Sequence, residues 1–479
     1  MKKFSALLLA ILLGMMLFVS PAVATQETSD DLTVISGCSS LLAQVPLGGS
    51  DQKVESARSV ILYELNTDTM VYAYNPDLRV NPTGLVKLLT ALVALEYGNL
   101  DEEVTVYSTT LNTVAIGSVS AGLKGGEVLT LRDLLYCVMV ASANDAAAVI
   151  AAHIGGNQAG FVEMLNAKAA QLGCTASNFA NAHGLADENQ YSTARDLAII
   201  TYAALQNETF VEMFGAKTYT VPATNKSDAR VLNTTNHMMH DAVIQTAIDS
   251  RVTGGKPAAA SNTDRSMICT AEVGSSRYMC IVMNSTAEVS EDGLSITRWN
   301  IFEEVSFLLD FGFANFAVRQ VIDQSQAMYQ YTVSDGGSDV VLRPNKSVSV
   351  VLPLGFNLAD IQYHNIVDAA ALVAPLAKGQ IVGSLQVQYG SIYIAVCDLV
   401  AMHDVVAEGS VIEDAVRYEQ EEIVEETFDW KPILIWGSVI LGGMIVLTVG
   451  VLLLIRTARN AQLRAQHRRR ARDRRRNRR

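Results

Sequence analysis

Lys87 is the residue of this sequence whose position most clearly calls for a chemical role, because it is the only charge in the apolar stretch of residues 85–95. Desolvating a lysine is costly, and a desolvated lysine amine is a side chain that proteins use as a general base. The pattern of residues 81–96 predicts a buried helix that begins near Pro82, where the missing N–H does no harm. Gly84 precedes Lys87 by three residues, so the two lie one helical turn apart.

A second polar group stands between two predicted helices. Thr130 is expected to cap a helix over residues 131–140, and the helical pattern resumes over residues 146–154. Ser142 and Asn144 lie at the junction in the order Ser-x-Asn. Taken alone, this short motif is also what an ordinary helix cap looks like.

A third stretch, Arg251-Val252-Thr253-Gly254-Gly255-Lys256, has the composition of a strand that runs into a loop. Together with residues 181–185 (Asn-Ala-His-Gly-Leu) and 191–198 (Tyr-Ser-Thr-Ala-Arg-Asp-Leu-Ala), these stretches resemble the serine-type D-Ala-D-Ala carboxypeptidases, the low-molecular-mass penicillin-binding proteins. That family carries Ser-x-x-Lys, Ser-x-Asn and Lys-Thr-Gly in this order.

The resemblance implies roles for five residues of this chain. Lys87 would be the base, Ser142 would take part in the proton relay, and Asn144 would hold the substrate peptide. Thr253 and Gly254 would lie on the strand that binds the substrate. In the family, the lysine of the third motif faces the terminal carboxylate of the peptide.

The sequence departs from the family at two of these motifs. Gly84 stands where the nucleophilic serine would be and has no side chain to acylate. Val252 stands at the lysine position and offers no charge. Arg251 is expected to point to the opposite face of the strand, while Lys256 is a candidate to reach back from the following loop. We therefore predict an inactive or nearly inactive homologue.

Other readings stay open. An active carboxypeptidase with a relocated nucleophile would use Thr83, the hydroxyl just before Gly84, or a water activated by Lys87. A purely structural protein would use its exported part as a rigid acidic spacer and its basic tail as the functional end. His183 has no second histidine or carboxylate at metal-ligand spacing, so a structural hydrogen bond is its expected role, and no metal or cofactor is predicted.

Both ends of the chain carry membrane-directed signals. Residues 1–24 read as a signal peptide and residues 25–51 as a disordered lead-in. Residues 406–431 form an acidic stalk before an uncharged segment, 432–455, which is long enough to span a bilayer. Residues 456–479 contain 12 arginines and are predicted to stay in the cytoplasm, next to anionic lipid.

This distribution of charge bears on partners and location. The arginines sit in the tail, so the exported part is more acidic than the net charge of -13 suggests, and nucleic-acid binding is not expected. We expect a single-pass protein of the cell membrane whose N-terminal part faces the cell wall. By resemblance, its ligands would be peptidoglycan stem peptides ending in D-Ala-D-Ala, with β-lactams bound without a covalent bond.

The predicted fold is the α/β (α+β) penicillin-binding and serine β-lactamase-like transpeptidase fold, with helices on both sides of an antiparallel sheet over residues 52–315. A hairpin over residues 59–74, a second over 266–284 and a helix over 301–311 would contribute to it. Short alternating strands over 318–405, with an Ala-Pro-x-x-x-Gly stretch at 374–379, resemble the small C-terminal β domain of the family. Cys137 and Cys174 are expected in the core, whereas Cys269 and Cys280 are either a cross-strand disulfide or two buried thiols.

Overall fold

A computed structural model describes residues 54–409, apart from residues 241–246, 262, 293–294 and 326–327. The predicted signal peptide, lead-in, transmembrane segment and arginine tail lie outside the described residues, as does the predicted stalk beyond residue 409. No helix within the described ranges combines the length and the apolar character that crossing a bilayer requires.

The central element is a five-stranded antiparallel sheet. It contains the hairpin of β1 (Ser59–Glu64) and β2 (Thr69–Tyr74) and the later strands β7 (Val252–Ala259), β8 (Asp264–Val273) and β9 (Ser276–Thr286). The strand order is β2-β1-β9-β8-β7, so β7 forms one edge. Both predicted hairpins are present, and they pair with each other through β1 and β9.

The helices pack on both faces of this sheet, as predicted. They are α1 (Val86–Tyr97), α2 (Ser108–Leu111), α3 (Leu131–Met139), α4 (Asn144–Ile154), α5 (Gln158–Gln171), α6 (Ala194–Ala204), α7 (Glu208–Gly215) and α8 (Asn300–Asn315). Alternate residues of β9 enter two separate cores: Met279, Ile281 and Met283 pack against the layer of α1 and α3–α7, here called the helical layer. Tyr278, Cys280 and Val282 pack against α8.

The helix boundaries follow their caps. Thr130 caps α3 in a capping box with Asp133, and Thr193 accepts a hydrogen bond from the Asp196 N–H at the start of α6. Three short pairs of strands complete this part of the chain: β3 (Glu103–Thr105) with β4 (Val128–Thr130), β5 (Thr218–Val221) with β6 (Arg230–Asn233), and β10 (Glu288–Val289) with β11 (Ile296–Arg298).

The chain after α8 is all β, as the alternating pattern predicted. Its strands are β12 (Phe316–Ile322), β13 (Tyr329–Tyr331), β14 (Val340–Pro344), β15 (Val348–Pro353), β16 (Ile361–Val367), β17 (Ile381–Tyr389) and β18 (Ile392–Ala401). Five of them form a sheet in the order β13-β14-β18-β17-β16, while β12 pairs with β15. Inward-facing Val, Leu and Ile side chains of these strands form a third core.

The first helix begins later than the sequence suggested. Residues Thr83–Leu85 form a 3-10 turn, and α1 starts only at Val86. The Asn81 side chain accepts a hydrogen bond from the Thr83 N–H at 2.9 Å, and the Leu85 N–H donates to the Pro82 carbonyl at 3.0 Å. These two bonds tighten the chain before the α-helical pattern can start, so Gly84 lies in the turn and Lys87 in the helix.

The cysteines are free thiols throughout the described residues. Cys269 and Cys280 lie directly opposite each other on β8 and β9, as the symmetry of the hairpin predicted. Burial raises the pKa of the Cys280 thiol well above its usual value. Cys137 and Cys174 belong to the core of the helical layer, as expected.

Thr130→Ala should lower the free energy of unfolding by about 1 kcal/mol, because α3 loses the side chain that accepts a hydrogen bond from its first turn. Thr130→Ser keeps a hydroxyl in place and should stay close to wild type. Urea unfolding of the two variants and the wild-type protein measures the difference. Equal losses for Ala and Ser would contradict a capping role.

Candidate active site

Lys87 is buried and makes two hydrogen bonds that join three separate parts of the chain. Its Nζ donates to Asn144 Oδ1 at 2.7 Å and to the carbonyl oxygen of His183. Asn144 is the first residue of α4, and His183 lies in the loop between α5 and α6. The structure thus brings together the predicted base and one of the two predicted residues of the second motif.

The protonation state of Lys87 follows from its surroundings. Burial lowers the pKa of Lys87 to about 7, because the charged amine loses its hydration. A neutral amine has two N–H groups and one lone pair, and the bonds to Asn144 and His183 use both N–H groups. The lone pair is therefore left free to accept a proton, which is what a general base requires.

Gly84 lies directly beside this amine. A Cβ placed on residue 84 would be 3.6 Å from Lys87 Nζ and 3.4 Å from the Cβ of Ala258, both ordinary van der Waals distances. The backbone there does not adopt the left-handed conformation that favours glycine. Neither the space for a Cβ nor the backbone conformation thus requires glycine at this position.

The second motif is held by the turn between α3 and α4. Ser142 adopts a left-handed conformation with φ of 59°, and the neighbouring Ala143 N–H donates to the carbonyl of Cys137 at 3.0 Å. Asp145 then binds the preceding loop through Ser120 Oγ at 2.6 Å and the Ala121 N–H at 2.9 Å. These bonds fix the first turn of α4 and therefore the amide of Asn144.

The loop of residues 181–185 sets the position of the His183 carbonyl. Asn181 Oδ1 accepts from the Gly184 N–H at 2.7 Å, and Thr90 Oγ1 donates to the Ala182 carbonyl at 2.7 Å. Gly184 has φ of 84°, and a Cβ there would overlap the carbonyl oxygen of Thr83. Glycine is therefore needed here for the loop to close on the turn that carries Gly84.

The imidazole of His183 has a structural contact. Its Nδ1 accepts a hydrogen bond from the Leu185 N–H at 3.2 Å, which matches the hydrogen-bonded role expected from the sequence. Burial lowers the pKa of His183 to about 4, and the nearby charge of Lys87 acts in the same direction. The ring is therefore neutral near pH 7, and the hydrogen bond from Lys87 Nζ goes to the backbone carbonyl of His183.

The third motif lies on the edge strand β7. Thr253 is exposed, and its Oγ1 lies 2.8 Å from Thr270 Oγ1 on β8. Gly254 packs against the Phe214 ring so closely that a Cβ would lie 2.5 Å from it. The same strand continues to Ala258, whose Cβ would touch a side chain at position 84, so β7 runs past the start of α1.

A shift of register divides the residues around this motif between the two faces of β7. The shift falls between Val252 and Gly254, and Val252, opposite Ala271, is buried in the core against α8. Arg251 forms ion pairs with Asp249 and with Asp310 of α8, so it points away from Lys87, as expected. It does not alternate with Val252, however, because it precedes β7, and the two residues share the α8 side. Val252 carries no charge, and because of this shift its side chain also faces away from Lys87.

Comparison with known proteins decides the family. The family model described as D-alanyl-D-alanine carboxypeptidase matches residues 49–287, and the one described as penicillin-binding protein 5, C-terminal domain, matches residues 316–407. This chain belongs to the D-alanyl-D-alanine carboxypeptidase family. The resemblance drawn from the motifs is confirmed.

Relatives of this D-alanyl-D-alanine carboxypeptidase family member match it over most of their length. The carboxypeptidase DacF of Bacillus subtilis is 24% identical over 367 residues, which cover 76% of this chain and 89% of the relative. DacA of Haemophilus influenzae is 28% identical over 359 residues, which cover 73% and 85%. The solved structure of penicillin binding protein 5 from Haemophilus influenzae has a TM-score of 0.61 at 27% identity and covers 75% of this chain and 100% of that one.

The sequence suggested that Lys256 lies in a loop of this family member, and this is wrong. It lies within β7, opposite Ile268, and is fully buried on the face of the helical layer. Its Nζ has no hydrogen-bond partner among the described residues. Burial lowers the pKa of Lys256 well below its usual value, and the positive charge of Lys87 lowers it further. The pattern Gly-Gly-Lys-Pro gave no sign of a strand, so sequence reasoning missed this position.

Gly184→Ala should destabilise this carboxypeptidase-family protein by more than Gly173→Ala does. Both glycines have positive φ, but a Cβ at Gly173 meets nothing within 4 Å, whereas one at Gly184 overlaps Thr83. The control should lose about 1 kcal/mol from the left-handed conformation alone, and Gly184→Ala should lose more in urea unfolding. Equal losses would contradict the close approach.

Lys256→Met should stabilise the protein near neutral pH, with a gain that shrinks as the pH rises. The folded-state pKa of Lys256 is lowered, so below the unfolded value of about 10.4 the unfolded chain binds the extra proton, and wild-type stability rises with pH. Methionine does not titrate. The difference in unfolding free energy should fall by up to about 1.4 kcal/mol per pH unit as the pH rises towards the unfolded value.

Urea unfolding of both proteins at several pH values measures this change. A difference that stays constant with pH would mean that the amine of Lys256 is charged in the folded protein.

Proposed function

We propose that this member of the D-alanyl-D-alanine carboxypeptidase family binds peptidoglycan stem peptides that end in D-Ala-D-Ala and does not hydrolyse them through an acyl-enzyme. The observation that carries the proposal is the arrangement at Gly84. A neutral, correctly held lysine base is retained there, with room for a side chain, but the residue beside it has no hydroxyl. The site can hold a peptide but lacks the atom that would form the ester.

Acyl transfer needs an oxygen that attacks the scissile carbonyl while the base removes its proton. Thr83 is the nearest alternative in sequence. Its Oγ1 is buried and has no hydrogen-bond partner in the part of the chain that the structure describes, and the residue lies outside α1 with φ of 50°. A buried hydroxyl of this kind is poorly placed to meet a peptide, so we give Thr83 no catalytic role.

Peptide binding is supported by the edge position of β7. An edge strand presents backbone N–H and C=O groups that an extended peptide can pair with, while side chains along the strand give specificity. The exposed Thr253 lies on this strand, and Asn144 lies beside Lys87. The names of the relatives, D-alanyl-D-alanine carboxypeptidases, support the same class of peptide.

We also propose that the chain is anchored in the cell membrane with its carboxypeptidase-like part on the wall side. The uncharged segment of residues 432–455 and the arginines that follow it support this orientation. The acidic stretch before the segment would keep the binding part away from the anionic membrane surface. A protein placed in this way would meet uncleaved stem peptides and act as a binding or regulatory subunit.

Gly84→Ser should create a covalent acceptor for penicillin. The wild-type full-length protein and Gly84→Ala, which fills the same space without a hydroxyl, should show no added mass after incubation with benzylpenicillin. Gly84→Ser should gain the mass of one penicilloyl group, because Lys87 is already placed to take the serine proton. Intact-protein mass spectrometry measures all three.

Release of D-Ala from a pentapeptide ending in D-Ala-D-Ala tests the same point with the natural type of substrate, and direct binding of that peptide tests the retained cleft. The control is Gly84→Ser combined with Lys87→Met, which should lose the acylation again. Hydrolysis or a penicillin adduct in the wild-type protein would refute the proposal, and Thr83→Val would then show whether Thr83 is the nucleophile.

A further inference from the structure

We infer that the amine of Lys256 forms a carboxylate-binding site beside Gly84, and that it takes up a proton when the carboxylate enters. The inference rests on the proposed function in one respect, because it identifies the ligand group as the terminal carboxylate of the D-Ala-D-Ala peptide. It assigns a role to a lysine that lies four residues beyond the motif position held by Val252.

The face of β7 places Lys256 next to the site. Lys256 and Ala258 are two residues apart on one strand and so lie on the same face. Ala258 would contact a side chain at Gly84, and Ile268, opposite Lys256, belongs to the same core as Leu85. The side chain of Lys256 therefore enters the layer between the sheet and α1, where Lys87 lies.

The Lys256 amine is an unusual buried group, because buried lysines normally have a partner. Its Nζ has no hydrogen-bond partner among the described residues. Once protonated, this amine can only donate hydrogen bonds, so its partner must be an acceptor. The strongest hydrogen-bond acceptor in a peptide is its carboxylate.

The charged groups around Lys256 also favour an anion. Lys87 faces it from α1 and carries no negative charge, and His183, which contacts Lys87, is neutral. The turn of residues 83–85 contains no titratable side chain, and the residue opposite on β8 is Ile268. On α7, which also packs on β7, Glu212 accepts a hydrogen bond from Tyr136 at 2.6 Å, and Glu208 lies at the far end of the helix, in its first turn.

Binding is then a balanced proton-transfer event. The peptide enters as a carboxylate, Lys256 takes one proton from solvent, and the resulting ammonium forms an ion pair with the carboxylate. The N–H groups of Lys87 stay with Asn144 and His183. Above the pKa of the free amine, the affinity should fall about tenfold for each unit of pH, because one proton must be supplied with each ligand.

The test is calorimetric titration of the full-length protein with two forms of one pentapeptide. One form ends in D-Ala-D-Ala with a free carboxylate, and the other ends in the C-terminal carboxamide. Near pH 8, titrations in two buffers of different ionisation enthalpy should give uptake of about one proton for the acid and none for the amide. The acid should bind about tenfold more tightly than the amide.

Lys256→Met should abolish the proton uptake and bring the acid and the amide to nearly equal affinity. Lys378→Met, which removes an exposed lysine of the β domain, is the matched control and should keep both effects. Equal binding of acid and amide by the wild-type protein, without proton uptake, would overturn the inference while leaving the proposed function intact.

Failure of both peptides to bind would refute the proposed function. Binding of acetate then tests the carboxylate site by itself. Acetate should raise the thermal unfolding temperature of the wild-type protein and of Lys378→Met near pH 8, with little effect on Lys256→Met. An equal response of all three proteins to acetate would overturn the carboxylate site.

Discussion

The burial of Lys87 is the constraint on which the rest of the site depends. A lysine amine without water must find acceptors inside the protein, and it finds Asn144 on α4 and the carbonyl of His183 on the loop before α6. Both acceptors are supported in turn, the first by Asp145 and its loop, the second by Asn181 and Gly184. The family's catalytic framework is therefore also a structural requirement of this chain, which explains why it can persist beside Gly84.

The sheet provides the other half of the site. Its two buried faces carry different cores, so a residue of β7 reaches either the helical layer or α8, but not both. The shift of register at Val252 assigns that residue to α8 and Lys256 to the helical layer. One irregularity in β7 thus decides which of its residues faces the site: Lys256 does, and Val252 does not.

Two buried lysines beside a glycine give a site with different electrostatics from one built around a serine. Burial lowers the pKa of both amines, and their mutual repulsion adds to this effect for Lys256. Neutral amines are suited to accept protons or to bind an anion together with a proton, and neither property needs a nucleophile. A glycine at position 84 and a second buried lysine both suit the proposed role, which is recognition of a peptide without acyl transfer.

The sequence by itself determined the family, the antiparallel hairpins and the cap at Thr130, because periodicity and local motifs encode these features. It could not determine where α1 begins, since the side-chain bond from Asn81 and the contact with Gly184 fix that turn. Nor could it place Lys256. Only the tertiary structure decided that, because the face of a strand residue depends on its pairing register, and a single shift moves a side chain from one core to the other.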